Sequence, residues 1–127
     1  MTTSIFNGTW RITWMSGWGQ DYVDLEGLGQ ITFSSGRSGS FRFGAIQAQM
    51  DCRAGLQTNP RIEFTWHGFD EGDEISGRGH ADIVNDELRG HLYFHLGDDS
   101  AFRATRIAAA TRKSASARKK RPPSDMP

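Results

Sequence analysis

Gly8-Thr9-Trp10-Arg11-Ile12-Thr13-Trp14 alternates without a break: Trp10, Ile12 and Trp14 on one face, Thr9, Arg11 and Thr13 on the other. A period of two is the signature of a half-buried β-strand. Two indoles and an isoleucine on one side of a first strand need a large apolar surface opposite them. The later stretches, out to about Arg106, read as strands that supply it.

Gln30 to Ser34 turns Ile31 and Phe33 inward, and Ser35-Gly36-Arg37-Ser38-Gly39 is a hairpin turn by composition. The next strand begins with Phe41 and Phe43 inward and then changes phase to Ile46, Ala48, Met50 and Cys52. A one-residue slip reverses faces, so the pattern predicts a β-bulge at Gly44-Ala45 that bends one long strand. Arg61 to Phe69 points Ile62, Phe64 and Trp66 inward. Glu74 to Ile83 does the same with Ile75, Gly77, Gly79, Ala81 and Ile83. Leu88 to Leu96 follows with Leu88, Gly90, Leu92, Phe94 and Leu96, and Ser100 to Arg106 with Phe102, Ala104 and Arg106. Tyr22 to Glu26 is a short strand or a single helical turn, and Ser16 to Asp21 a loop. Turns centred at Glu71-Gly72 and Asn85-Asp86 would set Gly77 against Trp66 and Phe94, and Gly79 against Phe64 and Leu92. Small residues beside large ones predict a filled interior there. The expectation is all-β: an antiparallel up-and-down meander closing into a small barrel of about seven to eight strands.

The 127 residues suffice for one domain. Residues 1–107 are expected to form it, with 108–127 a disordered basic tail poor in large apolar side chains. That tail holds six Lys and Arg against one carboxylate, Asp125. In a chain of zero net charge the body is left with nine arginines against fourteen carboxylates, a net −5. Such a body has no general attraction for polyanions; only Arg118-Lys119-Lys120-Arg121 offers weak contact with nucleic acid or an anionic surface. No run is long and apolar enough for a membrane span. The absence of a signal core, together with a single cysteine, Cys52, predicts a cytoplasmic protein without disulfides.

With Gly8-Thr9-Trp10 opening the first strand and Arg106 ending the last, the chain resembles the calycin superfamily of lipocalins, fatty-acid-binding proteins and avidin-like proteins. The resemblance implies an eight-stranded closed barrel, an arginine from the closing strand over the first-strand indole, and a small apolar ligand inside. Such a cation–π pair is worth ~0.5–2 kcal/mol. The body is also similar to small uncharacterised bacterial proteins that carry the turn Phe69-Asp70-Glu71-Gly72-Asp73-Glu74 and the ending Gly97-Asp98-Asp99-Ser100-Ala101-Phe102-Arg103. That likeness implies no activity.

The first functional expectation is non-enzymatic binding of a small apolar or aromatic ligand in a cup lined by Trp10, Trp14, Phe33, Phe43, Trp66 and Phe94 and closed by Arg106. Its mouth would lie near Trp18, Tyr22 and Arg53. The alternative is a filled core, with a structural or interaction role carried by an outer His/Tyr face, a homo-oligomer contact or the basic tail. Glu63, His80 and His91 fall in one outward row and are the candidate metal ligands; the competing reading is a polar outer face. The acidic turn at Asp70, Glu71, Asp73 and Glu74 lacks EF-hand spacing and reads as solvated, with Arg37 near it. Gly27-x-Gly29 and Gly77-x-Gly79 lie outside any strand-to-helix context and suit sheet curvature better than phosphate binding. No nucleophile, catalytic constellation or cofactor motif stands out.

Overall fold

The computed structural model describes residues 4–55 and 60–107. The expected disordered tail at 108–127 lies outside the described residues. Eight antiparallel strands run in chain order: β1 (Gly8–Met15), β2 (Gln30–Phe33), β3 (Ser38–Phe43), β4 (Ile46–Ala54), β5 (Arg61–Asp70), β6 (Asp73–Val84), β7 (Glu87–Phe94) and β8 (Asp99–Arg106). Each pairs with its neighbours in sequence, and β1 pairs with β8 as well as β2, so the sheet is a closed barrel. Closure leaves no strand edge unpaired. A 3₁₀ turn, Ser4–Phe6, precedes β1, and one helical turn, α1 (Gln20–Val23), comes after it. Among the described residues no helix is long and apolar enough to cross a membrane.

The predicted registers around β6 are present: Gly77 lies opposite Trp66 and Phe94, and Gly79 opposite Phe64 and Leu92. A Cβ at Gly79 would stand 2.7 Å from the Phe64 ring, and one at Gly90 2.6 Å from the Phe102 ring. These glycines are the space the rings occupy, as in any close-packed interior.

Three local expectations are corrected. Gly44-Ala45 is a two-residue turn and not a bulge: Phe43 pairs directly with Ile46, so β3 and β4 are two strands of a hairpin. Residues that flank a two-residue turn share a face, which is why the apolar phase shifts there. Gly44 has φ of 58°, and the Tyr22 ring occupies the place its side chain would take. The bulge lies in β1 instead. Ile12 pairs with Ala104 and Trp14 with Arg103, leaving Thr13 as the extra residue. Past it the faces exchange: Met15 is buried, and Trp14 points outward, 45% exposed. Finally, Leu96 is not inward. It sits in the β7–β8 turn at φ of 58° and is 95% exposed.

Among the described residues, side chains cover both ends of the barrel, with a recess of about 550 Å³ left beside Ile5, Trp10, Ile83 and Arg106 at one of them. At that end, the Trp10 Nε1–H donates to the Phe6 carbonyl at 2.9 Å. The Arg106 guanidinium lies 4.1 Å over the Trp10 ring and donates to the carbonyls of Asn7 (2.6 Å) and Ile5 (2.9 Å). This is the arginine-over-indole pair that the resemblance implies. At the other end Trp18 packs on Phe43 and Phe94, with ring centroids 5.1 and 5.6 Å away. The Gly17 amide donates to the Ser100 hydroxyl at 2.9 Å, which ties the Trp18 loop to β8. Asp24, just after α1, accepts from the Gly29 amide (2.8 Å), Gln20 Nε2 (3.1 Å) and Arg11 Nη2 (3.1 Å).

Candidate functional site

The residues expected to line a cup are mostly together, and they fill it. Trp10, Phe33, Phe43 and Trp66 are buried and Phe94 is half-buried. They pack on one another and on further rings. Trp66 meets Phe94 at 5.0 Å and Phe41 at 5.2 Å between centroids, and Phe33 meets Phe6 at 6.0 Å and Phe64 at 6.3 Å. Trp14 is not among them, because the β1 bulge turns it outward beneath Arg103, 5.6 Å from that guanidinium. The expected mouth is divided between the two ends. Trp18 and Tyr22 plug one, while Arg53, near the end of β4, lies at the other, because β4 runs from the Trp18 end toward the Arg106 end. Arg37 is at that second end too, paired with Asp51 at 3.0 Å and far from the acidic turns.

The outer wall carries the polar convergence. Register sets Arg53, Glu63, His80 and His91 in one row across β4 to β7, and Asp51, Thr65, Arg78, Tyr93 and Asp99 in the next, across β4 to β8. Adjacent outward residues on one strand are two positions apart, about 7 Å, so side chains of the two rows touch. The Arg78 guanidinium lies 4.2 Å from the Tyr93 ring centroid, the His91 ring 4.6 Å from it, and His80 and His91 are 6.4 Å apart. Glu63, His80 and His91 share the predicted row, but the His91 Nε2 is bonded to Asp99. Among the described residues no group of three His, Cys, Asp or Glu is placed to hold a metal. His67, in register with Ser76, is hydrogen-bonded to Glu74 at 2.6 Å.

Two open grooves meet on this wall. One, of about 660 Å³, runs past Ser76, Arg78, Tyr93 and His95 to the turn at Leu96–Asp99; the other, of about 520 Å³, lies among Arg53, Glu63, Thr65, Arg78 and His80. Thr65 and Arg78 belong to both and form the ridge between them. Burial is the main reason His80 titrates below the usual histidine range, with the Arg61 charge acting the same way, so it is neutral at neutral pH. Its Nδ1 is buried with no hydrogen-bond partner among the described residues. Arg61 and Asp82 hold each other through two bonds, 2.8 and 3.0 Å; the hydrogen bond between them raises the Arg61 pKa and lowers that of Asp82. Burial pushes the Cys52 thiol up to about 11, so it stays protonated and unreactive.

Alternation placed Thr65, Ser76, Arg78 and Tyr93 outward, yet apart from Tyr93, already part of the expected His/Tyr face, none of them stands out in the sequence as a site residue. What marks them is that grooves form between rows of different strands, a property of register and curvature rather than of residue type. No family model, curated protein or solved structure matches the chain.

Proposed function

We propose that this is a non-enzymatic binding module of calycin-like build that engages its ligand from the outside of the barrel, on the wall of β5, β6 and β7. One observation carries the reading. The interior rings pack on one another, Arg106 and Trp18 cover the two ends and leave a recess of about 550 Å³ outside Trp10 and Arg106 at one of them, whereas two adjoining grooves of about 660 and 520 Å³ lie open side by side on that wall and share Thr65 and Arg78. Concave sites with a few convergent polar groups are where small ligands bind. Residues 1–107 are the proposed folded unit and 108–127 a basic appendage that adds weak, salt-dependent attraction to nucleic acid or anionic surfaces. A second copy docked on the His/Tyr wall is the oligomer this reading admits. A cytoplasmic location suits the single buried thiol.

The test is a fragment screen read by two-dimensional NMR. Hits should shift the amides of Thr65, Ser76, Arg78 and Tyr93. Hits that shift those of Trp10, Phe33, Phe43 and Phe102 instead would overturn the outer-wall reading.

A second reading keeps the small aromatic ligand inside the barrel and is favoured by one feature. Trp18, which covers Phe43 and Phe94, comes from a loop and not from a strand. Its displacement would uncover an aromatic-lined opening leading to Trp66.

A further inference from the structure

The charges around the smaller groove are unevenly matched. Arg37 and Arg53 both reach the same Asp51 oxygen, at 3.0 and 3.4 Å, so one carboxylate serves two guanidiniums. Arg61 is matched by Asp82. Glu63, the remaining acid, lies in register between Arg53 and His80, and its charge acts on Arg61. Arg78 has no carboxylate within ion-pair distance among the described residues; its guanidinium rests on Tyr93 instead. The groove itself is lined by two arginines, Arg53 and Arg78, against one carboxylate, Glu63. An uncompensated guanidinium stacked on an aromatic ring is already oriented, so little side-chain entropy remains to be lost when an anion meets its fork. The neighbouring Thr65 hydroxyl is a neutral donor, and the unpartnered His80 Nδ1 shows that polar satisfaction in this wall is incomplete.

We propose that the groove between Arg53 and Arg78 binds a small molecule bearing an oxyanion, a phosphate or a carboxylate. Arg78 is the principal contact, Arg53 the second cation and Thr65 the neutral donor. A space of about 520 Å³ suits a metabolite-sized ligand. This inference rests on the outer-wall reading and narrows it to a ligand class.

The experiment titrates the full chain with inorganic pyrophosphate and, in parallel, citrate, at ionic strength matched with sodium chloride. Amide shifts of Thr65 and Arg78 and the His80 ring signals are followed in the wild type, Arg78→Gln and Arg103→Gln. Both substitutions remove one exposed charge, but Arg103 lies on β8, outside the groove. The expected result is saturable binding of one or both probes at Thr65, Arg78 and His80. Arg78→Gln should weaken it about tenfold or more, as expected for loss of a charge-assisted hydrogen bond, and Arg103→Gln should leave it unchanged. The tighter probe identifies phosphate or carboxylate as the group recognised. Equal weakening in both variants, saturation centred elsewhere, or no saturable shift with either probe would overturn the proposal. If the probes are silent while neutral fragments still map to the wall, the oxyanion class fails and the outer-wall reading stands; if fragments map to the interior, the outer-wall reading itself fails.

Discussion

Asp24 holds one closed end of the barrel together. It accepts from the Gly29 amide, from Gln20 and from Arg11, joining β1, α1 and the chain leading into β2. The Gly29 bond is the main reason its carboxyl titrates below the usual value; burial opposes that, and Gln20 and Arg11 add to it. A carboxyl whose folded pKa is depressed stabilises fully above its unfolded value, about 4, and that contribution is lost as pH falls through the folded pKa. Asp24→Asn should therefore cost ~1–2 kcal/mol at pH 7, the worth of weakened charge-assisted bonds. Urea unfolding of wild type and variant should show that difference shrinking as the pH is lowered below about 4; a difference independent of pH would show that the charge is immaterial. Nothing around Asp24 in the sequence announces this role, because its partners lie up to thirteen positions away and meet only after α1 folds over β1.

The first strand shows what alternation conveys and where it stops. Trp10 and Ile12 are inward as the pattern requires, and Arg106 faces Trp10 as the resemblance implies. Trp14 obeys the same alternation and yet points out, since Thr13 is inserted against β8. A bulge increases local twist and re-aims the residues beyond it, and here it carries the chain toward Trp18 and α1. The two indoles should consequently behave differently. Trp10→Ala should destabilise by ~3–5 kcal/mol, as for a buried aromatic, while Trp14→Ala should cost under ~1 kcal/mol, as for most exposed sites. Chemical denaturation of the two variants decides it; similar losses would return Trp14 to the core. The β3–β4 hairpin makes the complementary point. The phase shift at Gly44-Ala45 is visible in the residues, but a bulge and a two-residue turn produce the same shift. Only Phe43 pairing with Ile46 separates them.

Over the whole molecule, closure and filling are linked. With β1 bonded to β8, every inward side chain must fit one enclosed volume, and Gly77, Gly79 and Gly90 on adjoining strands yield space to Trp66, Phe64 and Phe102. Trp66→Ala should then lower stability by ~3–5 kcal/mol; a loss below ~1 kcal/mol would mean that Trp66 lines a wet pocket. Trp18→Ala addresses the interior reading. It should cost less than Trp66→Ala, because Trp18 is only half-buried, and it should leave a gap beside Phe43 and Phe94 that takes up indole. Indole shifting amides at Phe43 and Phe94 in the variant would support entry at this end; indole that finds no site there would remove the interior from consideration.

The all-β class, the inward set from Phe33 to Ala104 apart from Leu96, and the glycine-to-aromatic registers of β5, β6 and β7 come from residues alone, because a period of two and short turns are local and each strand carries its own evidence. The covering of one barrel end by Trp18, the outward turn of Trp14 and the meeting of Arg53, Thr65 and Arg78 across three strands do not. They depend on where strands register and how the sheet curves, and those are settled only when β8 closes on β1 and all the inward side chains compete for the same space.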